Sequence, residues 1–184
     1  AIWTNWGLSK IADGNGNEGK KPIMKVERRR QGLRLRERSF PVLTRTEMME
    51  MDRKGNEEFG MAMETMMENA GRSVAEVVER VIERRPGAVW ILAGPGNNGG
   101  DGICAGRWLT LRGKKARVAL LADKARYSGE AEIHLKWAEK CGVEMVKVSR
   151  LADLEEVTGS EVPACFVDGI FGVGLKRPVE GFFG

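Results

Sequence analysis

"AVWILAGPGNNGGDGICAGRW", residues 88–108, decides the fold. Ala88 to Ala93 form a continuous apolar run of strand length with no polar face, as a parallel strand buried on both sides requires. Gly94 to Gly102 then bring five glycines, two asparagines, a proline and an aspartate. A tight turn needs two or three such residues, so nine in a row predict a loop whose backbone must come close to something. A helix follows over roughly 101–112 and closes at Gly113.

Outward from this unit the pattern repeats. "ARVALLA" (116–122) is a second buried strand, "SGEAEIHLKWAEKCG" a helix with Ser128 as cap and Gly142 as stop, and "EMVKV" (144–148) a third strand. A short helix near 151–157 and the strand within "ACFVDGIFG" complete the series. Upstream, Thr44 and Glu47 have capping-box spacing. Met63, Met66, Met67, Ala70, Val74, Val77, Val78, Val81 and Ile82 recur every three or four residues, predicting one apolar face of a long helix ended by Pro86-Gly87. This methionine-rich face is read as core packing rather than a partner surface. Alternating strands and helices predict an α/β fold: a three-layer, Rossmann-like, doubly wound and mostly parallel sheet.

The chain has 184 residues, 42% hydrophobic, enough for one domain with a real core. No apolar run reaches membrane-spanning length and no signal peptide is visible, so no membrane partner is expected. Cys104, Cys141 and Cys165 are odd in number and far apart, which points to a reducing, cytoplasmic setting with no disulfide and no zinc pair. Residues 1–41 hold 10 of the 30 Lys/Arg and 4 of the 26 Asp/Glu, a net +6, leaving −2 for residues 42–184. The body therefore lacks a bulk signal for nucleic acid. We divide the chain into a basic, polar extension expected to be disordered (1–41) and a nucleotide-binding domain (42–184).

Gly94, Gly96 and Gly99 satisfy GxGxxG between a strand and a helix, and Asp123 follows the second strand where a dinucleotide fold keeps its ribose-binding acid. An NAD-dependent dehydrogenase is thus one reading, but the motif alone is weak. Against it, the glycine loop continues past Gly99, and Asn97, Asn98 and Asp101 add side-chain oxygens to it. A long helical segment also precedes this strand. A second loop, "VDGIFGVGLKRPVEGFFG" (167–184), follows Asp168 at a later strand end, with Gly172 and Gly174 freeing the backbone and Lys176 and Arg177 offering cations to phosphate. Two such loops on one sheet edge would frame a single cleft. Amide oxygens and a carboxylate there suit a hard cation.

With "MENAG" at 67–71, "GPGNNGGDG" at 94–102 and "VDGIFGVGLKRPVEG" at 167–181, in this order and spacing, the sequence resembles the N-terminal YjeF domain family, the NAD(P)H-hydrate epimerases. The resemblance implies a fold that is often a homodimer and that interconverts the R and S epimers of hydrated NADH and NADPH. The hydrated nucleotide is then substrate, not cofactor. An ADP- or ATP-dependent dehydratase would be the functional partner or a fused domain. By position, Asn97, Asn98, Gly99, Gly100 and Asp101 would contact the nucleotide. Asn98 and Asp168 would ligate a potassium ion, and the loop Gly172, Val173, Gly174, Leu175, Lys176, Arg177 and Pro178 would hold phosphates or ribose. Asp101 and Asp168 are the candidate catalytic carboxylates, with Asp101 preferred because a cation ligand stays ionised and makes a poor acid. The family's pattern continues into a further strand with an aspartate and a Ser-Gly turn, so the C-terminal part of the sheet is expected to be missing here.

A non-catalytic scaffold of the same family, with a role in RNA metabolism, is the alternative of a different class. The intact Asn-Asn-Gly-Gly-Asp loop and strand-end aspartate favour the enzyme. His134, with no evident second ligand, is expected to have a surface or packing role, and Cys104 to be a buried apolar residue. Trp90, Trp108 and Trp137 are read as core or interface, and "RYSGEAE" as a plain loop-to-helix junction.

Overall fold

The computed structural model describes residues 43–159, 161–175 and 178–179; the basic extension, Val42, Lys176 and Arg177 lie outside them. Two helices open the described chain, α1 (Arg45–Glu57) and α2 (Met63–Ile82). Then come β1 (Val89–Ala93), α3 (Asn97–Leu111), β2 (Ala116–Leu120), α4 (Glu130–Lys140), β3 (Glu144–Lys147), α5 (Leu151–Thr158) and β4 (Cys165–Gly169). The sheet is wholly parallel in the order β3-β2-β1-β4. The α/β expectation holds.

The layering follows from handedness. Steps from β1 to β2 to β3 run in one direction, so right-handed crossovers put α3 and α4 on one face. The step from β3 to β4 runs back past β1 and puts α5 on the other. The core divides accordingly. Val89, Ile91 and Ala93 of β1 pack with Val118, Leu120 and Val167 under α2, α3 and α4, while Trp90, Ala119 and Val148 pack with Leu154 and Val157 of α5. The second layer is thin. Phe166 shares a register position with the buried Trp90, yet over β4 it is 53% exposed.

Local signals explain most element ends. The Thr44 cap is real: Glu47 N–H donates to Thr44 Oγ1 at 3.3 Å, and Thr44 N–H donates to Glu47 Oε2 at 2.7 Å. Ser128 is not the cap of α4. Gly129 takes that place at φ +58°, a left-handed conformation that glycine adopts at least cost. The stripe on α2 is narrower than its sequence suggests. Met67, Ala70, Val74 and Val78 are buried, but Val77 and Val81 face outward at 47% and 39% exposure. Successive residues on a helix point about 100° apart, so Val77 cannot share the inward row of Val78.

The main correction concerns the glycine stretch. Only Gly94, Pro95 and Gly96 connect β1 to α3; the helix begins at Asn97, and Gly99, Gly100 and Gly102 lie inside it. These glycines serve close packing rather than loop freedom. A Cβ on Gly99 would stand 1.8 Å from the Gly94 carbonyl oxygen, and one on Gly100 2.7 Å from Met67 Sδ. Gly71, from the "MENAG" segment, is the matching gap on α2, where a Cβ would sit 2.5 Å from Cys104 Sγ.

Gly71→Ala therefore forces α2 and α3 apart and should cost about 1–3 kcal/mol in urea unfolding, as overpacking does. Gly55→Ala, in the last turn of α1 with nothing nearer than a flexible Met66 methyl at 3.5 Å, should instead stabilise by about 0.5–1 kcal/mol. Equal effects from the two would contradict the packing described.

Candidate functional site

The sheet has one point where its winding reverses. Among the described strands, β2 lies on one side of β1 and β4 on the other, and the carboxyl ends of strands at such a reversal are where doubly wound sheets form a crevice. Register places Leu92 beside Asp168 and Ala93 beside Gly169. The segments "GPGNN" and "IFGVGL" thus start side by side.

They touch through backbone and one side chain. Gly94 N–H donates to the Gly169 carbonyl at 3.1 Å. Asn98, in the first turn of α3, donates from Nδ2 to the Phe171 carbonyl at 2.9 Å. Asp168 accepts the Ile170 N–H on Oδ1 at 2.9 Å, which fixes the turn as the chain leaves β4. Three glycines make this fit possible. A Cβ on Gly94 would lie 2.1 Å from the Ile170 carbonyl oxygen, on Gly169 3.0 Å from that of Asn98, and on Gly172 3.1 Å from Asn98 Cβ.

The start of α3 gives the crevice its polarity. Its N-cap is Gly96, with no side-chain hydrogen bond closing the first turn. Amides there carry the partial positive charge of a helix N-terminus, suited to an anionic group. Asn97 is exposed and Asn98 half-buried, whereas Gly99 and Gly100 are buried. Gly172, Val173, Gly174, Leu175 and Pro178 are exposed along the facing segment.

The two candidate carboxylates sit in different surroundings. Asp168 is exposed at the strand end. Asp101 lies one turn inside α3 at 8% exposure, and burial, with the charge of Asp52 adding, pushes its carboxyl up to about 7. A carboxyl poised there exchanges protons near neutrality. In donor chemistry the pair Asn98 and Asp168 fits a hard cation, one amide oxygen and one carboxylate from adjoining segments.

Asp123 does not serve as a ribose acid would. It keeps the expected place after β2, but its carboxylate forms an ion pair with Lys147. A hollow of about 570 Å³ lined by Arg85, Pro86, Val162 and Pro163 lies at the opposite end of the sheet, where the strands begin, with none of the motif residues in its wall.

Sequence reasoning passed over several supporting residues. Tyr127, inside the supposed plain junction, is 2% exposed and donates its hydroxyl to the Ala93 carbonyl at 2.7 Å, pinning the end of β1. Its one available signal is that it is the chain's sole tyrosine. His134 is fully buried and does have companions: Glu68 and Cys104 stand close by, brought from two other helices. Nothing in linear spacing announces that group. Cys104 is buried as expected, and Trp90 is core while Trp137 is 41% exposed.

The family described as YjeF-related protein N-terminus matches residues 63–183. An NAD(P)H-hydrate epimerase of Rhodopirellula baltica is 35% identical over 142 residues, covering 77% of this chain and 56% of the relative. A bifunctional NAD(P)H-hydrate repair enzyme of Thermofilum pendens is 38% identical over 141 residues, 75% of this chain and 26% of the relative. The chain thus spans from about a quarter to about half the length of these two relatives. The crystal structure of yeast ynu0 superposes with a TM-score of 0.66 at 27% identity, covering 77% of this chain and 60% of that one.

Asn98→Ala removes the side-chain tie between the two segments. Amide hydrogen exchange at residues 170–175 should accelerate, with a stability loss of about 1 kcal/mol; unchanged exchange would show that the segment is held by other means. For Asp101 the sign is fixed by its raised carboxyl. The folded state holds the proton that the unfolded state loses near pH 4, so stability is full below that and declines as pH rises toward about 7. Asp101→Asn should flatten this decline in urea midpoints measured from pH 4 to 8.

Proposed function

The chain belongs to the YjeF-related N-terminal family, and on that premise we propose that it interconverts the R and S epimers of hydrated NADH and NADPH in nicotinamide nucleotide repair. The observation that carries the reading is the Asn98–Phe171 bond at the reversal point. It joins an open helix N-terminus, an exposed strand-end carboxylate and, one turn deeper, a buried carboxyl near 7. The names of the two relatives, an NAD(P)H-hydrate epimerase and a bifunctional NAD(P)H-hydrate repair enzyme, support the chemistry and its coupling to a second repair activity.

The hydrated nicotinamide ring carries a hydroxyl and the ring nitrogen on one carbon. Inversion at that carbon proceeds by loss and return of the hydroxyl or by reversible ring opening. In the first route the acid protonates the hydroxyl, water leaves, the nitrogen lone pair stabilises the cation, and water adds to the other face as the base recovers its proton. Asp101 fits the acid and base roles because one carboxyl near 7 can both give and take a proton at neutral pH. The first-turn amides of α3 and the segment from Gly172 to Pro178 would hold the nucleotide's phosphates or ribose, and Asn97, Asn98, Gly99 and Gly100 its nearer atoms. Potassium, when bound by Asn98 and Asp168, would supply positive charge to the crevice. The same reading makes the protein a cytoplasmic homodimer acting beside an ADP- or ATP-dependent NAD(P)H-hydrate dehydratase, or joined to one. Among the described residues no helix is long and apolar enough to cross a membrane.

Epimer exchange of hydrated NADH, followed chromatographically with and without potassium, tests the proposal. Asp101→Asn should slow exchange by about 10²–10⁴-fold, the usual range for loss of a general acid–base group. Asp168→Ala should abolish the potassium dependence. Full exchange in both variants would remove these assignments, and hydride transfer to a carbonyl substrate would replace the reaction class.

A further inference from the structure

The helical layer holds a partly buried polar cluster that the crevice does not use. Glu68 comes from α2, Cys104 and Arg107 from α3, and His134 from α4. Cys104 Sγ lies 3.6 Å from Glu68 Oε2, and His134 Nδ1 lies 3.7 Å from the same oxygen. All three ligand atoms fall within 4.8 Å of one another. A tetrahedral ion with metal–sulfur near 2.3 Å and metal–nitrogen and metal–oxygen near 2.0–2.1 Å spaces its ligands by roughly 3.3–3.6 Å. Two of the three separations are already close to that.

The histidine gives an independent pointer. His134 is fully buried, and its Nδ1 has no hydrogen-bond partner. Its Nε2 lies 3.3 Å from the Glu64 carbonyl oxygen. With Nε2–H donated to that carbonyl, the lone pair resides on Nδ1 and faces Glu68 and Cys104. A backbone carbonyl behind one ring nitrogen and a bare lone pair in front is the arrangement of a metal-binding histidine. Trp108 Nε1 holds the far carboxylate oxygen at 2.8 Å, orienting Glu68. Arg107 bonds Glu68 Oε2 and lies 3.7 Å from Cys104 Sγ, so the anion-forming groups already share one positive charge.

We propose that Glu68, Cys104 and His134 form a site for a thiophilic divalent cation of the zinc type. Entry is from the Glu68 side, whose side chain is 29% exposed. On binding, the Cys104 thiol releases its proton to solvent and forms the sulfur–metal bond, and Arg107 gives up its hold on Oε2. The three ligands come from three helices, so the ion would tie α2, α3 and α4 together. Its effect is on folding stability, separate from the crevice.

Cobalt(II) titration of the reduced chain carrying Cys141→Ser and Cys165→Ser tests this directly. One equivalent should produce a thiolate-to-cobalt charge-transfer band with the strong visible absorption of a tetrahedral centre, removed by zinc. Zinc should also raise the melting temperature. Adding His134→Gln should weaken cobalt binding at least about tenfold, and adding Cys104→Ser should erase the charge-transfer band, with circular dichroism verifying that each variant is folded. A folded parent without that band at millimolar cobalt, or the same band after Cys104→Ser, overturns the proposal.

Discussion

No side chain fits between the first turn of α3 and the ends of β1 and β4. Gly94, Gly99 and Gly169 bring three backbones so close that any Cβ would meet a carbonyl oxygen at 3.0 Å or less. This constraint lets the Gly94–Gly169 backbone bond form and brings Asn98 within reach of Phe171. Tyr127 closes the same corner from the β2 side by holding the Ala93 carbonyl. The crevice is therefore a by-product of backbone packing, and its polar atoms are positioned before any ligand arrives.

That packing also separates two aspartates only 67 positions apart in sequence into different electrostatic roles. Asp168 stands exposed to solvent next to the last residue of β4. Asp101 is carried inward by the helix, so desolvation raises the cost of its ionised form. Similar side chains are thus set apart by depth alone, the exposed one in donor chemistry suited to a cation and the buried one to proton exchange near neutrality.

The same economy of space governs the helical layer. Gly71 permits α2 to lie against Cys104, and this close approach is what brings Glu68 within range of Cys104, Arg107 and His134. Polar groups in such a layer are costly unless paired, and most of them here are. Among the described residues of this layer, Arg107 Nε, Thr110 Oγ1 and His134 Nδ1 are the exceptions, and the last lies where three helices meet.

The sequence by itself determined the alternation of strands and helices, the capped start of α1, the two glycine-rich segments and their family resemblance, because periodicity, capping spacing and motif order are properties of neighbours along the chain. It misread the glycine run as an open loop: glycine's composition signals a need for space, not whether that space serves a turn or a tight helix contact. Only the tertiary structure decided that Gly99 and Gly100 are helical, that Val77 and Val81 face solvent, that Asn98 grips the Phe171 carbonyl, and that Glu68, Cys104 and His134 converge. Each of these depends on which surfaces the sheet order brings together, and contacts between residues 30 to 75 positions apart leave no periodic trace in a single chain.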